Sequence, residues 1–422
     1  MRKKLVDNKA VREALLELEG SRANGQLAEP ARFHPFPARM PVSVVQHLIS
    51  RITISGAKIL DPMAGSGTTL VAAKYVQRQS IGFDRDPLAI LISRTATSDF
   101  EAETLARMQL RILDRAQKTL NSAKIQLKSL RAKMSPEDQE FLDYWFPPES
   151  QQQLAKLATS IQQEANGKEK DFAWVVFSSL IIAKSAGASY ALDLPRSRPH
   201  RCFEKSIYLP FEAWPKRFHA AVRRLPFINK QQTTDALVSL GDARNLPLKN
   251  DSIDLVITSP PYINAIDYLR AHKFSLVWMG YNLHDLRELR GTMVGSERGL
   301  FGLDGLPKKL EERLNRLRKD TRDRAIRRRY LSDLTKVISE INRVLQPGGL
   351  ALLTVGPTMI SLKRTDAAKV LTSIGQSCGL EFIESVTRDL KASHRSLPIP
   401  RATTANPLAN RMRREVIVAF RK

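Results

Sequence analysis

Short apolar runs alternate with longer amphipathic stretches at both ends of this chain, and that alternation sets the expectation for its fold. Val11, Leu15, Leu16 and Leu18 recur at helical spacing over residues 8–20. A second helix is expected over 42–52, opened by Pro41, whose fixed φ suits a first helical turn. Residues 58–61 then read as a buried strand, 67–78 as a helix, 80–84 as a strand ending in an acid, and 87–98 as a helix. A β-α-β-α order of this kind predicts a parallel sheet with helices on its faces.

Near residue 100 the alternation stops. Helical patterning over 101–133, 148–166, 171–186 and 212–226 predicts an insertion after the second strand unit, with Tyr144, Trp145 and Phe146 as its packing anchor. Strands return at 236–241 and 253–258, followed by a helix over 265–279. A glycine-rich stretch at 295–306 and a basic helical run from Lys308 to Arg329 interrupt the sheet again. A helix over 330–345 should stop at Pro347-Gly348-Gly349, before a strand at 350–355, a helix at 365–377 and strands near 380–387 and 415–421. The expected divisions are 1–99, 100–234, 235–282, 283–330 and 331–422.

Composition adds one strong signal. Lys and Arg number 67 against 43 Asp and Glu, a net charge of +24, which favours a polyanionic partner over a merely basic solvated face. The cysteines, Cys202 and Cys378, lie too far apart for a zinc site or a disulfide framework. Acidic residues soon follow the N-terminus, unlike a signal peptide, and the apolar run 172–183 is too short to span a bilayer. A cytoplasmic protein with neither metal nor membrane is expected.

Two turns hold the candidate chemistry. The apolar run ending at Thr258 leads into Ser259-Pro260-Pro261-Tyr262. Prolines fix φ and remove donors, so rigid acceptors stand beside one aromatic ring, which suits a flat, amino-bearing ring. The other turn, Asp61-Pro62-Met63-Ala64-Gly65-Ser66-Gly67-Thr68, follows a strand and opens a helix. Gly65 and Gly67 allow close approach to a ligand, although Gly-x-Gly alone also suits a plain tight turn. No phosphate-cradling P-loop pattern is present. Asp84, ending the next strand, can accept both hydroxyls of a ribose or cap the helix begun by Pro87. Asp242, before Ala243, can accept from an adenine amino group or serve as a turn residue.

These motifs together resemble the S-adenosylmethionine-dependent amino-methyltransferases that act on nucleic-acid bases. The segment Phe33-His34-Pro35-Phe36-Pro37-Ala38-Arg39-Met40-Pro41 is similar to an N-terminal cofactor motif of the DNA enzymes. The resemblance covers about 31–98 and 235–356 and implies a Rossmann-like, doubly wound, mostly parallel seven-stranded α/β sheet with a large helical insertion. It implies that His34, Pro35 and the 61–68 turn hold the methionine part of S-adenosylmethionine. Asp84 would take the ribose, with Asp242 and Ala243 at the adenine. Ser259 and the Pro260 carbonyl would accept from the target amine, beside Pro261, and Tyr262 would stack on the base. A serine before Pro-Pro-Tyr resembles the cytosine-N4 subgroup; adenine N6 and an RNA base, as in tRNA guanine-N2 enzymes, stay open. Neither cysteine lies in a turn suited to C5-cytosine chemistry. Double-stranded DNA is the implied partner, with a companion restriction endonuclease admitted. Candidate DNA contacts are Arg196 and Arg198, Arg270 and His272 after the catalytic turn, and Arg322, Arg327 and Arg328, where 281–330 holds 14 Lys and Arg against 8 Asp and Glu.

Overall fold

The computed structural model describes residues 6–19, 33–36, 39–183, 187–192, 199–202, 207–231, 234–261, 268–296, 311–312, 321–356, 367–390 and 414–422. After α1 (Asn8–Leu16) and α2 (Val42–Ile52), the first half-sheet is β1 (Lys58–Asp61), α3 (Thr68–Tyr75), β2 (Gln79–Asp84) and α4 (Pro87–Thr97). The helices α5 (Ala102–Lys118), α6 (Ala123–Arg131), α7 (Pro136–Trp145), α8 (Pro148–Glu164), α9 (Gly167–Ile181) and α10 (Pro210–Val222) come before β3 (Ala236–Leu240) and β4 (Ile253–Thr258). Then follow α11 (Leu269–Leu276), α12 (Leu283–Thr292), α13 (Thr321–Val344), β5 (Leu345–Val355), α14 (Ala367–Ser377), β6 (Glu381–Asp389) and β7 (Arg414–Arg421).

The seven strands form one sheet in the order 3-2-1-4-5-7-6. Neighbours from β3 to β5 pair in parallel, and β7 runs antiparallel between β5 and β6. Strand order reverses between β1 and β4, so the crevice at their carboxyl ends is the switch point where open α/β sheets bind ligands. Buried residues of α2, α4 and α9 form the core on one face, while Leu334, Val337, Ile338 and Ile341 of α13 join Leu353 and Val418 on the other. The sheet is therefore doubly wound, with apolar cores on both of its faces.

The helical stretch after α4 shares the first of these cores: Leu105, Ile112, Leu157 and Phe177 join Val45 and Leu255 in one continuous apolar cluster. Phe274 of α11 sits 4.9 Å from Phe141, 5.0 Å from Trp145 and 6.3 Å from Phe146. Asp138 Oδ1 accepts from Leu283 N at 2.8 Å, tying the start of α7 to the start of α12. This insertion is welded to the helices that follow the Ser259-Pro260-Pro261 turn.

Several local expectations change. The stretch 101–133 breaks into α5 and α6 around a 3₁₀ turn at Leu120–Ser122. Helices α7 and α12 were not foreseen, because each is only ten residues long and carries few apolar positions. Helix α13 begins at Thr321 rather than 330, and β5 begins at Leu345, so Pro347-Gly348-Gly349 lies inside an irregular strand start.

Candidate functional site

The site is built where β1, β2 and β4 end. In the turn after β1, Gly65 (φ 52°) and Gly67 (φ 81°) take left-handed backbone, as a chain reversing into a helix requires. A side chain at Gly67 would be crowded as well as strained, because its Cβ would stand 3.1 Å from the Ser93 Cα of α4. Its smallness thus serves packing of the turn on α4. Ser93 Oγ donates to the Gly65 carbonyl at 2.7 Å, and Gly65 N donates to Asp84 Oδ2 at 2.8 Å. Pro62, Ala64 and Ser66 are buried within the turn, whereas Thr68 is partly exposed as it opens α3.

Asp61 lies beneath this turn, 4% exposed. Its Oδ1 accepts from Thr258 Oγ1 at 2.7 Å and from Met63 N at 3.2 Å. Burial pushes the Asp61 carboxyl up to about 6, against the pull of its bonds to Thr258, Thr69 and Met63. Asp84 is likewise pushed up to about 6, by burial first and by the neighbouring Asp86 charge. Helix capping falls to Asp86, whose Oδ1 accepts from Leu88 N and Ala89 N, while Asp84 accepts from Gly65 N and Asp86 N at the end of β2.

Across the switch point, Thr69 Oγ1 of α3 donates to the Ile257 carbonyl at 3.3 Å. Ser259 is exposed at the end of β4; its hydroxyl donates to the Thr354 carbonyl at 3.2 Å, which leaves its lone pairs available. Pro260 is buried and Pro261 partly so, while Tyr262 lies outside the described residues. The N-terminal motif spans both halves. The Phe36 ring faces Gly65, where a Cβ would stand 3.5 Å away, and Met40 Sδ lies 4.0 Å from Thr354 Oγ1. His34 is 3% exposed, bonded through Nε2 to Ser178 Oγ at 3.0 Å, and burial holds it well below the usual histidine range. Its Nδ1 is buried with no partner among the described residues. Pro35 is partly exposed beside it.

Asp242 follows β3, with Ala243 buried behind it, but its carboxylate is already engaged. Oδ1 accepts from Arg244 N and Nε, and Oδ2 accepts from Arg244 Nη2 at 2.8 Å and Arg85 Nη1 at 2.6 Å. Burial opposes ionisation of Asp242, but the bonds from Arg244 outweigh it and hold the carboxyl below its ordinary value. Arg244 also binds Asp333 and the Thr292 carbonyl, each at 2.6 Å. The sequence offered no sign of these guanidiniums beyond their nearness to acids.

The candidate DNA contacts need correction at two positions. His272 is 1% exposed and bonded through Nδ1 to Asp86, and Arg327 is 3% exposed, so neither presents the free surface a groove contact needs. Arg270 is half-buried on α11, and Arg328 pairs with Glu311 at 2.6 Å. Arg196, Arg198 and the Arg322 side chain lie outside the described residues. Ser93, Thr69 and Asp86 bond to the turns and to one another's elements without having been singled out from the sequence, and His272 was singled out only as a DNA contact. Asp86 directly before Pro87 carried a readable N-cap signal. No helix among the described residues is long and apolar enough to cross a membrane.

The family model described as DNA methylase, of the N6/N4 amino type, matches residues 8–94. The type II methyltransferase M.MjaII of Methanocaldococcus jannaschii is 22% identical over 343 residues, covering 62% of this chain and 63% of that protein. M.BsoBI of Geobacillus stearothermophilus is 27% identical over 278 residues, covering 60% and 53%. M.MvaI of Kocuria varians is 20% identical over 405 residues, covering 90% and 87%. The chain therefore spans less than two thirds of the first two relatives' own length. The matched segment holds the N-terminal motif, the 61–68 turn and Asp84, and the sheet sets the Ser-Pro-Pro turn against them. Over residues 8–94 the chain is thus similar to the N6/N4 DNA methylase family, and over longer stretches it is similar to type II methyltransferases.

Proposed function

We propose that the protein methylates DNA on the exocyclic amine of a base turned out of the duplex, with cytosine N4 as the target. The observation that carries this reading is the shared rim: Thr258 Oγ1 bonded to Asp61 Oδ1 holds the cofactor turn and the catalytic turn side by side. When bound, S-adenosylmethionine supplies an electrophilic methyl group on a sulfonium. The chain's residues fit such a donor. Asp84 offers a carboxylate at the strand end for ribose hydroxyls, the backbone of 65–68 opens a helix, and His34 Nδ1 is a buried polar atom lacking a partner among the described residues.

An exocyclic amine is a weak nucleophile because its lone pair is conjugated with the ring. In this reading Ser259 Oγ and the Pro260 carbonyl accept its hydrogens, draw the nitrogen towards tetrahedral geometry and aim its lone pair outward. The gain is positioning and electrostatic stabilisation, with no covalent enzyme intermediate. Turning a base out of a duplex costs about a few kcal/mol, part of which stacking on Tyr262 would offset. A neutral serine acceptor suits cytosine, whose adjacent ring nitrogen is itself an acceptor. The net charge of +24 supports a polyanionic substrate, with the insertion 100–234 and the segment 283–330 as the elements that read DNA. The kinship with type II methyltransferases supports a restriction-modification setting, with a companion endonuclease as partner.

Expression in a methylation-free host, followed by sequencing with modification detection, should reveal N4-methylcytosine at one recurring site. Adenine marks would move the target to N6. Unmarked DNA beside methylated tRNA would end the DNA reading. Tyr262→Ala should abolish marking while cofactor affinity stays nearly intact; retained marking would remove the stacking role.

A further inference from the structure

We propose that His272 is a positioning residue, one that transmits cofactor occupancy at the end of β2 to the helix behind the catalytic turn; the proposal rests on the functional reading above. A chain of hydrogen bonds makes the connection. Gly65 N donates to Asp84 Oδ2 at 2.8 Å, Asp86 N donates to Asp84 Oδ1 at 2.9 Å, and His272 Nδ1 donates to Asp86 Oδ2. The other oxygen of Asp86 caps α4, so this carboxylate cannot turn away without opening a helix end. His272 and Asp86 are 1% and 3% exposed.

A second strap lies one helical turn further along the same face of α11. Ser275 Oγ meets Ser178 Oγ at 2.9 Å, and Ser178 Oγ meets His34 Nε2 at 3.0 Å. Between the straps, the Phe36 ring lies 5.6 Å from His272 and stacks on Tyr268 at 4.7 Å. The cofactor side of the pocket thus grips α11 at Tyr268, His272 and Ser275. Leu269 and Phe274 already anchor the same helix in the apolar core. Buried polar groups cost free energy unless bonded, and replacing such a pair by apolar residues of similar volume is often neutral. Cohesion alone would be met by leucine. What the polar pair adds is direction: it fixes α11 relative to the carboxylate that meets the ribose.

The experiment compares the intact protein with His272→Phe, which keeps a ring but removes the donor, and His272→Asn, whose amide N–H can replace Nδ1–H. Calorimetry measures S-adenosylmethionine affinity, hydrogen exchange follows 61–68 and 269–279, and single-turnover transfer to DNA is timed. In the native protein the cofactor should slow exchange in both segments. His272→Phe should keep affinity within about threefold and protection at 61–68, lose protection at 269–279, and transfer methyl groups at least about tenfold more slowly. His272→Asn should restore most of both. Unchanged protection at 269–279 in His272→Phe, or affinity lost as steeply as rate, would overturn the coupling while leaving the functional reading intact. A native protein that binds no cofactor would overturn both. Should phenylalanine prevent folding, Ser275→Ala cuts the second strap and must show the same separation of affinity from protection.

Discussion

The Thr258 hydroxyl donates to Asp61 Oδ1 at 2.7 Å, joining residues 197 positions apart at the carboxyl ends of two paired strands. This bond aligns the last residue before the Ser-Pro-Pro turn with the first residue of the Gly-rich turn. Both partners are buried, so neither can turn to water instead.

Thr258→Val keeps shape but removes the donor, leaving a buried carboxylate short of a bond. The expected cost is about 1–3 kcal/mol in urea denaturation, with weaker cofactor binding. Thr258→Ser should restore both. A valine variant as stable and as tight-binding as the native protein would show that strand pairing alone aligns the turns.

The pH dependence follows from the two carboxyls raised to about 6. An acid with a raised pKa in the fold contributes stability that is present below about pH 4 and lost as pH climbs through about 6. The proposed ribose role of Asp84 needs the ionised form, so affinity should change in the opposite sense. Calorimetry should find S-adenosylmethionine binding about tenfold weaker at pH 5 than at pH 7.5. Asp84→Asn should bind poorly with a flatter profile; an unaltered slope would transfer the titration to another group.

Asp242 presents a different expectation. Its Oδ2 already accepts from Arg85 and Arg244, and an adenine amine would have to compete with them. Arg85→Ala frees one lone pair and removes a positive charge near a cationic cofactor. Affinity should therefore rise severalfold by calorimetry. A fall would mean that Arg85 itself holds the cofactor.

Ser259→Ala removes the acceptor at the catalytic turn while sparing the cofactor side. The rate at saturating substrates should fall by roughly 10²–10³, the range seen when one preorganised polar partner is lost. S-adenosylmethionine affinity should stay unchanged. Equal loss of rate and affinity would instead assign Ser259 to holding the pocket together through Thr354.

Much of the site is legible locally. The runs 58–61 and 253–258 end in turns rich in Gly or Pro, and strand, turn and helix signals there agree within a few residues. His272 was misread because α11 has polar residues on more than one side, and its acid partner lies 186 positions away. The engagement of Asp242 by Arg85 was hidden for the same reason: a charged residue beside an acid looks identical whether it points to water or inward.

Apolar periodicity and turn chemistry in the chain determined the parallel strand-helix alternation and the two Gly- and Pro-rich turns that end its strands, since these follow from neighbours within a few bonds; the doubly wound arrangement was implied by the family resemblance. Tertiary structure alone decided which polar side chains from distant parts of the chain face each other: Asp61 with Thr258, Asp86 with His272, Asp242 with Arg85. Hydrogen bonds need ångström proximity and orientation, and separations of 150 to 200 residues acquire those only when the sheet closes.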